Sequence, residues 1–376
     1  MNRGVQEPLL GDDACIATIS SCPPAEMLKP EWQDLEGRSR GSVFLSWSWI
    51  GAMLPLLGQD SRLIRVLCRD RTVGLGVLGA QKQSLFSLRP PSLHLNETGD
   101  PIQDRIMIEY NGMLAETGWE EPVAEAMLDA IVAAGALDKR DLHLSGVMGE
   151  WGPRCLRHGL TTRLTRPPQV APYARLGVGT SDDPLSLMTR NSRQQIRRSM
   201  RFYEQRGALV LDRATTVAQA LEWLDALEVL HTQSWQQRGK KGAFCNAAFK
   251  EFHRRLITLS FSDGIPDLLR VRAGDDILGY LYNLRWQDVV YSYQSGFLYE
   301  GHGLARPGLV THVLAMRDYR AEGKSAYRFL AGDARYKSSL ATDKDELFWI
   351  VAYRPSMTHW VSETVNSLYR VLAGDD

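Results

Sequence analysis

The chain has 376 residues, long enough for two ordinary domains rather than one. Hydrophobic residues make up 44% and charged residues 23%, which sets aside a disordered or membrane-embedded chain in favour of a globular one. Lys and Arg number 44 and so do Asp and Glu, so no global field recruits DNA or an anionic membrane, and any such binding has to be local.

In chain order, residues 1–22 hold no continuous apolar run of the signal-peptide kind. Nowhere do 18 apolar residues run together, so no transmembrane helix is expected. The cysteines (Cys15, Cys22, Cys68, Cys155, Cys245) are odd in number and scattered. They show neither zinc spacing nor a small disulfide framework, which points to a reducing cytoplasm and no metal. Residues 1–29 read as an irregular leader and 30–165 as a first domain. Residues 166–184 carry four prolines and two glycines and read as a linker or crossover. A second domain over 185–355 and a C-terminal helix or tail over 356–376 complete the division.

The second domain is the more readable. A helical pattern over 187–206 stops at Gly207, a short strand follows at 209–212, and a long helix runs from Val217 to about Arg238. The apolar stripe of that helix is continued at helical spacing by His231 and Trp235. Another helix covers about 247–261. Strand-like runs at 268–273, 277–286 and 289–297 are joined by hairpin signals at 274–276 and 287–288. A glycine-bearing loop, 298–306, leads to a helix opening at Pro307 and closing at Gly323, then to strands at 326–331 and 345–352.

An internal repeat points to duplication. Leu63, Ile64, Arg65, Val66, Asp70 and Gly74 line up without a gap on Leu268, Leu269, Arg270, Val271, Asp275 and Gly279, at an offset of 205. Residues 106–112 then parallel 289–296, the helix 121–134 parallels 309–322, and 141–146 parallels 327–332.

Asn191-Ser192-Arg193 through Arg206-Gly207, His231 with Trp235, and Tyr293-Gln294-Ser295-Gly296-Phe297 carry a family resemblance. Arg306-Pro307-Gly308 and Phe329-Leu330-Ala331-Gly332-Asp333 with Tyr336-Lys337 complete it. The chain resembles the GNAT acyltransferases, in the doubled form similar to Fem-type aminoacyl transferases, and more narrowly the bacterial CelD-like or BioF2-like acetyltransferases. The implied fold class is α/β (α+β): two tandem GNAT-like domains, each a mixed central sheet flanked by helices. The resemblance covers about 185–350 by sequence and 30–150 only by architecture.

The resemblance implies coenzyme A or acyl-CoA as donor, its pyrophosphate held by the loop before the helix at Pro307. Gly301, Gly303, Ala305, Arg306 and Gly308 are the candidate residues, because glycines let backbone N–H groups approach and a helix start adds positive potential. Glu300 stands where the family has Gln or Arg, and Arg306 is the expected replacement donor. Tyr293 and Ser295 lie on the strand whose free backbone groups would pair with the pantetheine arm. The matching first-half loop, 112–122, has three glutamates and no Arg or Lys, so the first half is expected to be structural and to contribute to the acceptor cleft.

Asp333, Tyr336 and Lys337 follow the strand at 326–331 and are candidate catalytic residues: Asp333 as base, Lys337 for an acidic acceptor or the thioester oxygen. His231 is a further candidate base, although its place on the apolar stripe reads better as core. Arg190, Arg193, Arg197, Arg198, Arg201 and Arg206 crowd one helix against the single Glu204. With Tyr291, Arg193 and Arg197 are candidate acceptor-binding residues; the arginine face reads equally as a solvated surface or as a site for a phosphorylated, lipidic or polyanionic acceptor or an acyl carrier protein.

The expected activity is transfer of an acyl group from acyl-CoA to an amine or hydroxyl of an envelope polysaccharide, an amino-lipid or sphingoid base, or an amino acid. The expected place is the cytoplasm, with peripheral contact at the inner membrane as a variant. Two rivals are a Fem-like transferase using aminoacyl-tRNA and a non-catalytic scaffold of an envelope polysaccharide or lipid pathway.

Overall fold

The alternating apolar runs of the first half form hydrogen-bonded strands, and its periodic runs form helices packed on them. The computed structural model describes residues 15–81, 91–177 and 183–355. The first half contains β1 (Ile16–Ser21), α1 (Ala25–Gly37), α2 (Trp47–Met53), β2 (Arg62–Cys68), β3 (Arg71–Gln81) and β4 (Ser92–Leu95). It continues with β5 (Leu114–Ala115), α3 (Glu120–Ala133), β6 (Asp141–Val147), α4 (Trp151–Arg157), β7 (Thr161–Leu164) and β8 (Gln169–Arg175). The second half contains α5 (Arg190–Glu204), β9 (Leu209–Arg213), α6 (Val217–Gln237), α7 (Ala247–Ser260), β10 (Pro266–Ala273) and β11 (Asp276–Trp286). After them come β12 (Val289–Phe297), α8 (Pro307–Ala321), β13 (Ala326–Arg328), α9 (Arg335–Leu340) and β14 (Asp343–Tyr353).

Local chemistry sets several of these boundaries. Thr189, Thr216 and Asn246 each accept a backbone N–H at the start of α5, α6 and α7, satisfying donors that a helix start leaves free. Pro307 opens α8, where its missing N–H costs nothing, and Gly323 follows that helix with φ +81°.

The strands join one mixed sheet in the order β1-β2-β3-β4-β6-β14-β8-β13-β12-β11-β10-β9, with β5 and β7 on its flanks. The duplication is visible in its irregularities. β2 and β3 shift register between Val66 and Leu67, β10 and β11 between Val271 and Arg272, at the same offset of 205. In each half an antiparallel meander ends on a strand (β4, β12) that pairs in parallel with the next (β6, β13).

Each half then lends a strand to the other. β8, from the end of the first half, lies antiparallel between β13 and β14. β14 pairs through Asp343–Leu347 with β8 and through its later residues with β6 and β7. One core cluster runs through both halves: Trp49 of α2 stands edge-on to Phe252 of α7 (4.8 Å) and to Tyr293 of β12 (5.7 Å).

Four expectations differ from this arrangement. The stretch read as irregular up to residue 29 carries β1 and the start of α1, while residues 1–14 lie outside the described residues, as does the expected helix or tail over 356–376. The proline-bearing 166–184 contains β8. The counterpart of β12 is β4, not 106–112, where Met107 (φ +55°) and Tyr110 (φ +49°) take left-handed conformations that break a strand. β13 stops at Arg328 rather than at residue 331, because Leu330 also turns left-handed (φ +63°).

Gly296 lets α6 lie close on β12: a Cβ there would meet the Leu227 carbonyl oxygen at 2.5 Å. Gly296→Ala should push α6 off β12 and cost about 1–3 kcal/mol, read as a lower denaturant midpoint at constant slope.

Candidate active site

β12 and β13 stay together only briefly. Three residue pairs, Val289 with Ala326 to Tyr291 with Arg328, form the parallel ladder, and the strands then part. A bulge explains the parting: Asn283 pairs with Ser292 and Tyr282 with Gln294, which leaves Tyr293 as the extra residue and bends β12. Between the diverging ends lie Phe297, Phe329 and the buried His312 of α8, whose ring is 5.6 Å from each of those two rings. Tyr336 stacks on His312 at 5.2 Å. Burial raises the Tyr336 phenol well above its ordinary value, so it keeps its proton at neutral pH.

Loop 298–306 leads from the end of β12 to α8. A Cβ at Gly301 or Gly303 would touch nothing within 4 Å, and neither glycine has positive φ. Neither packing nor backbone geometry therefore requires glycine there, whereas close approach of a ligand would. Glu300 does not face this loop as a bare charge, because Arg206, just past the end of α5, donates to it (2.9 Å). Ser199 accepts the Arg306 N–H (3.2 Å), fixing the helix start, and the Arg306 side chain is exposed. His302 stacks on Phe202 of α5 at 4.6 Å. Ala305 and Gly308 pack inward; a Cβ at Gly308 would meet the Phe297 ring at 3.0 Å.

The turn after β13 is held from both halves. Lys337 of α9 donates to the carbonyls of Leu330 (3.0 Å) and Ala331 (2.7 Å). Glu109 of the first half accepts the Ala331 N–H (2.7 Å). Burial pushes Lys337 down to about 8, with Glu109 pulling the other way. Burial likewise pushes Glu109 up to about 7, against the Ala331 N–H, Lys337 and Arg166. Two ionisable groups that burial shifts toward neutrality thus converge on a left-handed turn after β13, which makes this turn a candidate site. Glu109 was not found from the sequence, since its partner lies 222 residues away in the chain.

Beside the last β12–β13 pair, a cavity of about 530 Å³ opens between the halves. Arg40, Tyr110, Glu120, Trp151, Tyr291 and Arg328 are among its lining residues. Of the residues expected to bind acceptor, Tyr291 lines it, whereas Arg193 donates to the carbonyls of Ser186 and Met188 and Arg197 is exposed on α5. Tyr293 is buried in the core between the halves and donates to the Ile106 carbonyl, so its side chain is closed to the opening. Ser295 is half-buried, and its carbonyl accepts from His231 Nδ1 (3.2 Å). His231 is buried, and that burial lowers its pKa, as suits a neutral core imidazole. Asp333 is exposed and forms no ion pair among the described residues.

In the first half β4 and β6 likewise form three parallel pairs, but among the described residues Asn96 and Asn111 bridge the end of β4 to the segment that follows: Asn96 donates to Asn111 (3.0 Å) and to the Gly112 carbonyl (2.7 Å), and Asn111 donates to the Leu95 carbonyl (2.8 Å). Of the three glutamates of loop 112–122, Glu116 pairs with Arg71 and Glu121 with Arg157, while Glu120 accepts the Gly118 N–H (2.8 Å). His94, Glu97 and Asp104 bring ligand atoms within 4.8 Å of one another, a set that could hold a metal ion. Asp104, however, is already occupied by the Thr98 N–H and hydroxyl and the Gly99 N–H.

Residues 190–338 match the family described as Acetyltransferase (GNAT) domain. This segment has a GNAT acetyltransferase fold. The doubled GNAT-like arrangement is shared by solved structures of low sequence identity. FemX is 11% identical with a TM-score of 0.61, over 93% of this chain and 99% of that one. The C-terminal domain of a lysylphosphatidylglycerol synthetase from Agrobacterium fabrum is 10% identical with a TM-score of 0.55, over 92% and 97%. L-PGS from Bacillus licheniformis is 9% identical with a TM-score of 0.51, over 92% and 96%. These likenesses concern the fold alone. No curated protein matches the sequence. In the GNAT fold of this chain the parted strands, the glycine loop and the start of α8 belong to one half, whereas Glu109 comes from the other. No helix among the described residues is long and apolar enough to cross a membrane.

Proposed function

We propose that the protein is an acyltransferase of the CelD-like or BioF2-like kind, taking acyl-CoA in the second half and an amine- or hydroxyl-bearing acceptor through the cavity between the halves. The observation that carries this reading is the parting of β12 from β13 after three pairs, with an open glycine loop and a helix start at its mouth. Envelope saccharides and amino-lipids are the proposed acceptors, because the cavity sets Trp151, Tyr110 and Tyr291 beside the charged Arg40, Glu120 and Arg328.

The loop fits coenzyme A. Gly301 and Gly303 leave room for a pyrophosphate, Arg306 supplies an exposed cation, and Arg206 cancels Glu300. When bound, coenzyme A supplies an acyl group activated as a thioester. The rest is done by the chain. Glu109, as carboxylate, accepts the proton given up by the acceptor's amine or hydroxyl. Lys337, as ammonium, holds the turn 330–332 and sets positive charge at the open end of β13. Tyr336 keeps a proton available for return. We assign the base to Glu109 rather than to Asp333 because Glu109 is buried and fixed, while Asp333 is exposed.

Calorimetry with coenzyme A tests the donor site. Arg306→Glu, which sets a second acid at the helix start, should weaken binding by about a hundredfold or more. Glu120→Ala in the first half should leave the affinity unchanged. Equal affinity of wild type and Arg306→Glu would remove the pyrophosphate assignment.

A further inference from the structure

The arginines of α5 are not used by the site described above. We propose that the outward face of α5 is a docking surface for an acidic carrier protein that delivers the acyl group on a phosphopantetheine arm, a proposal that rests on the donor site assigned above.

α5 keeps Ile196, Ser199 and Tyr203 buried, and Arg190, Arg197, Arg198 and Arg201 exposed. Among the described residues, Arg190, Arg198 and Arg201 form no ion pair, the one acid of the helix, Glu204, is exposed at its last residue, and two further acids are engaged elsewhere: Glu300 with Arg206, Asp183 with Arg317. Such a face is locally unfavourable. Arg190 and Arg193 sit in the first turns, where a helix prefers acids, and Arg197 and Arg201 repel one another at i, i+4. With as many acids as bases in the whole chain, this excess does not reflect a generally basic surface.

The position selects the partner. α5 walls the donor loop through Phe202 against His302 and Ser199 against Arg306, and Arg206 just beyond its end pairs with Glu300. A partner seated on the outward face would therefore stand beside the donor loop, where the arm of a carrier has to enter if the loop holds the donor as assigned above. Charge complementarity then suits an acidic helix. A membrane surface would want apolar residues on the same outward face, and α5 turns its apolar residues inward. A polynucleotide would want positive charge spread over many phosphates, whereas the excess is confined to one helix about 22 Å long. The chemistry is unchanged: the acyl carbon–sulfur bond breaks, the acyl carbon–nitrogen or carbon–oxygen bond forms, and the proton leaving the acceptor ends on the carrier thiol.

The test titrates the full chain with purified holo-acyl carrier protein of type II fatty acid synthesis and, separately, with coenzyme A. Wild type should bind the carrier with micromolar affinity that falls as salt is added. The triple variant Arg190→Glu, Arg198→Glu, Arg201→Glu should bind it about tenfold more weakly or worse, with coenzyme A affinity and circular dichroism unchanged. Carrier binding that is absent in wild type, or equal in the triple variant, overturns the proposal, as does charge-dependent binding of tRNA or phosphatidylglycerol vesicles in place of the carrier. If coenzyme A binds and the carrier does not, the donor site stands and this inference falls. If the carrier binds through these arginines and coenzyme A does not bind, the inference stands and coenzyme A is not the donor.

Discussion

Turnover, followed as thiol release from acyl-CoA in the presence of acceptor, should rise with pH through about 7 and fall again above about 8. The rising limb belongs to Glu109, which must lose its proton before it can accept one. The falling limb belongs to Lys337, whose ammonium is lost above about 8. Because the two groups interact, the limbs report the pair rather than either residue alone. Glu109→Gln keeps an acceptor for the Ala331 N–H but removes the base, so it should lower turnover by about a hundredfold or more and abolish the rising limb. Lys337→Met should abolish the falling limb. Asp333→Asn should keep both limbs and most of the turnover. If Asp333→Asn removed the rising limb while Glu109→Gln kept it, the base would lie at Asp333.

Stability should follow the same groups with opposite signs. The Glu109 carboxyl is raised in the folded state, so its contribution is fully present below about 4.5 and is lost as pH rises through about 7. The Lys337 ammonium is depressed, so its contribution is present above about 10.5 and is lost as pH falls through about 8.

The second half was legible because its signals are local. β12 was read over the same residues it occupies, and α6 and α8 within about two residues at each end, from apolar periodicity bounded by Gly274, Pro307 and Gly323. The glycine loop before α8 was legible for the same reason. What the sequence hid depends on partners far away in the chain. β4 is only four residues long, and the counterpart of β12 was read instead at 106–112, whose left-handed Met107 and Tyr110 no sequence pattern reveals. The bulge that makes Tyr293 the extra residue of β12 arises from pairing with β11, and the core between the halves claims the Tyr293 side chain. Glu109 becomes a site residue only through Ala331 and Lys337.

A chain starting at Asp183, which keeps the whole matched segment and drops the first half, should fail to unfold cooperatively and should aggregate. It loses β8, so β13 keeps only its three pairs with β12, and Asp343–Leu347 of β14 loses its ladder. The rest of β14 loses β6 and β7 as well. The cut also uncovers Tyr291 and Tyr293, which lie against Phe44, and Phe252, which lies against Trp49. Trp286 and Gln287 lose the carbonyls of Gly41 (2.8 Å) and Ser39 (2.7 Å). Unpaired strand edges beside uncovered aromatic surface favour association between copies. A milder variant separates loss of packing from loss of strands. Trp49→Ala in the full chain keeps every ladder and removes one buried ring, so it should cost about 3–5 kcal/mol while leaving unfolding cooperative. Calorimetric scans of both would decide the matter. A shortened chain that melts in one transition at the midpoint of the full protein would show that the second half stands alone, with Glu109 then dispensable to the fold of its turn.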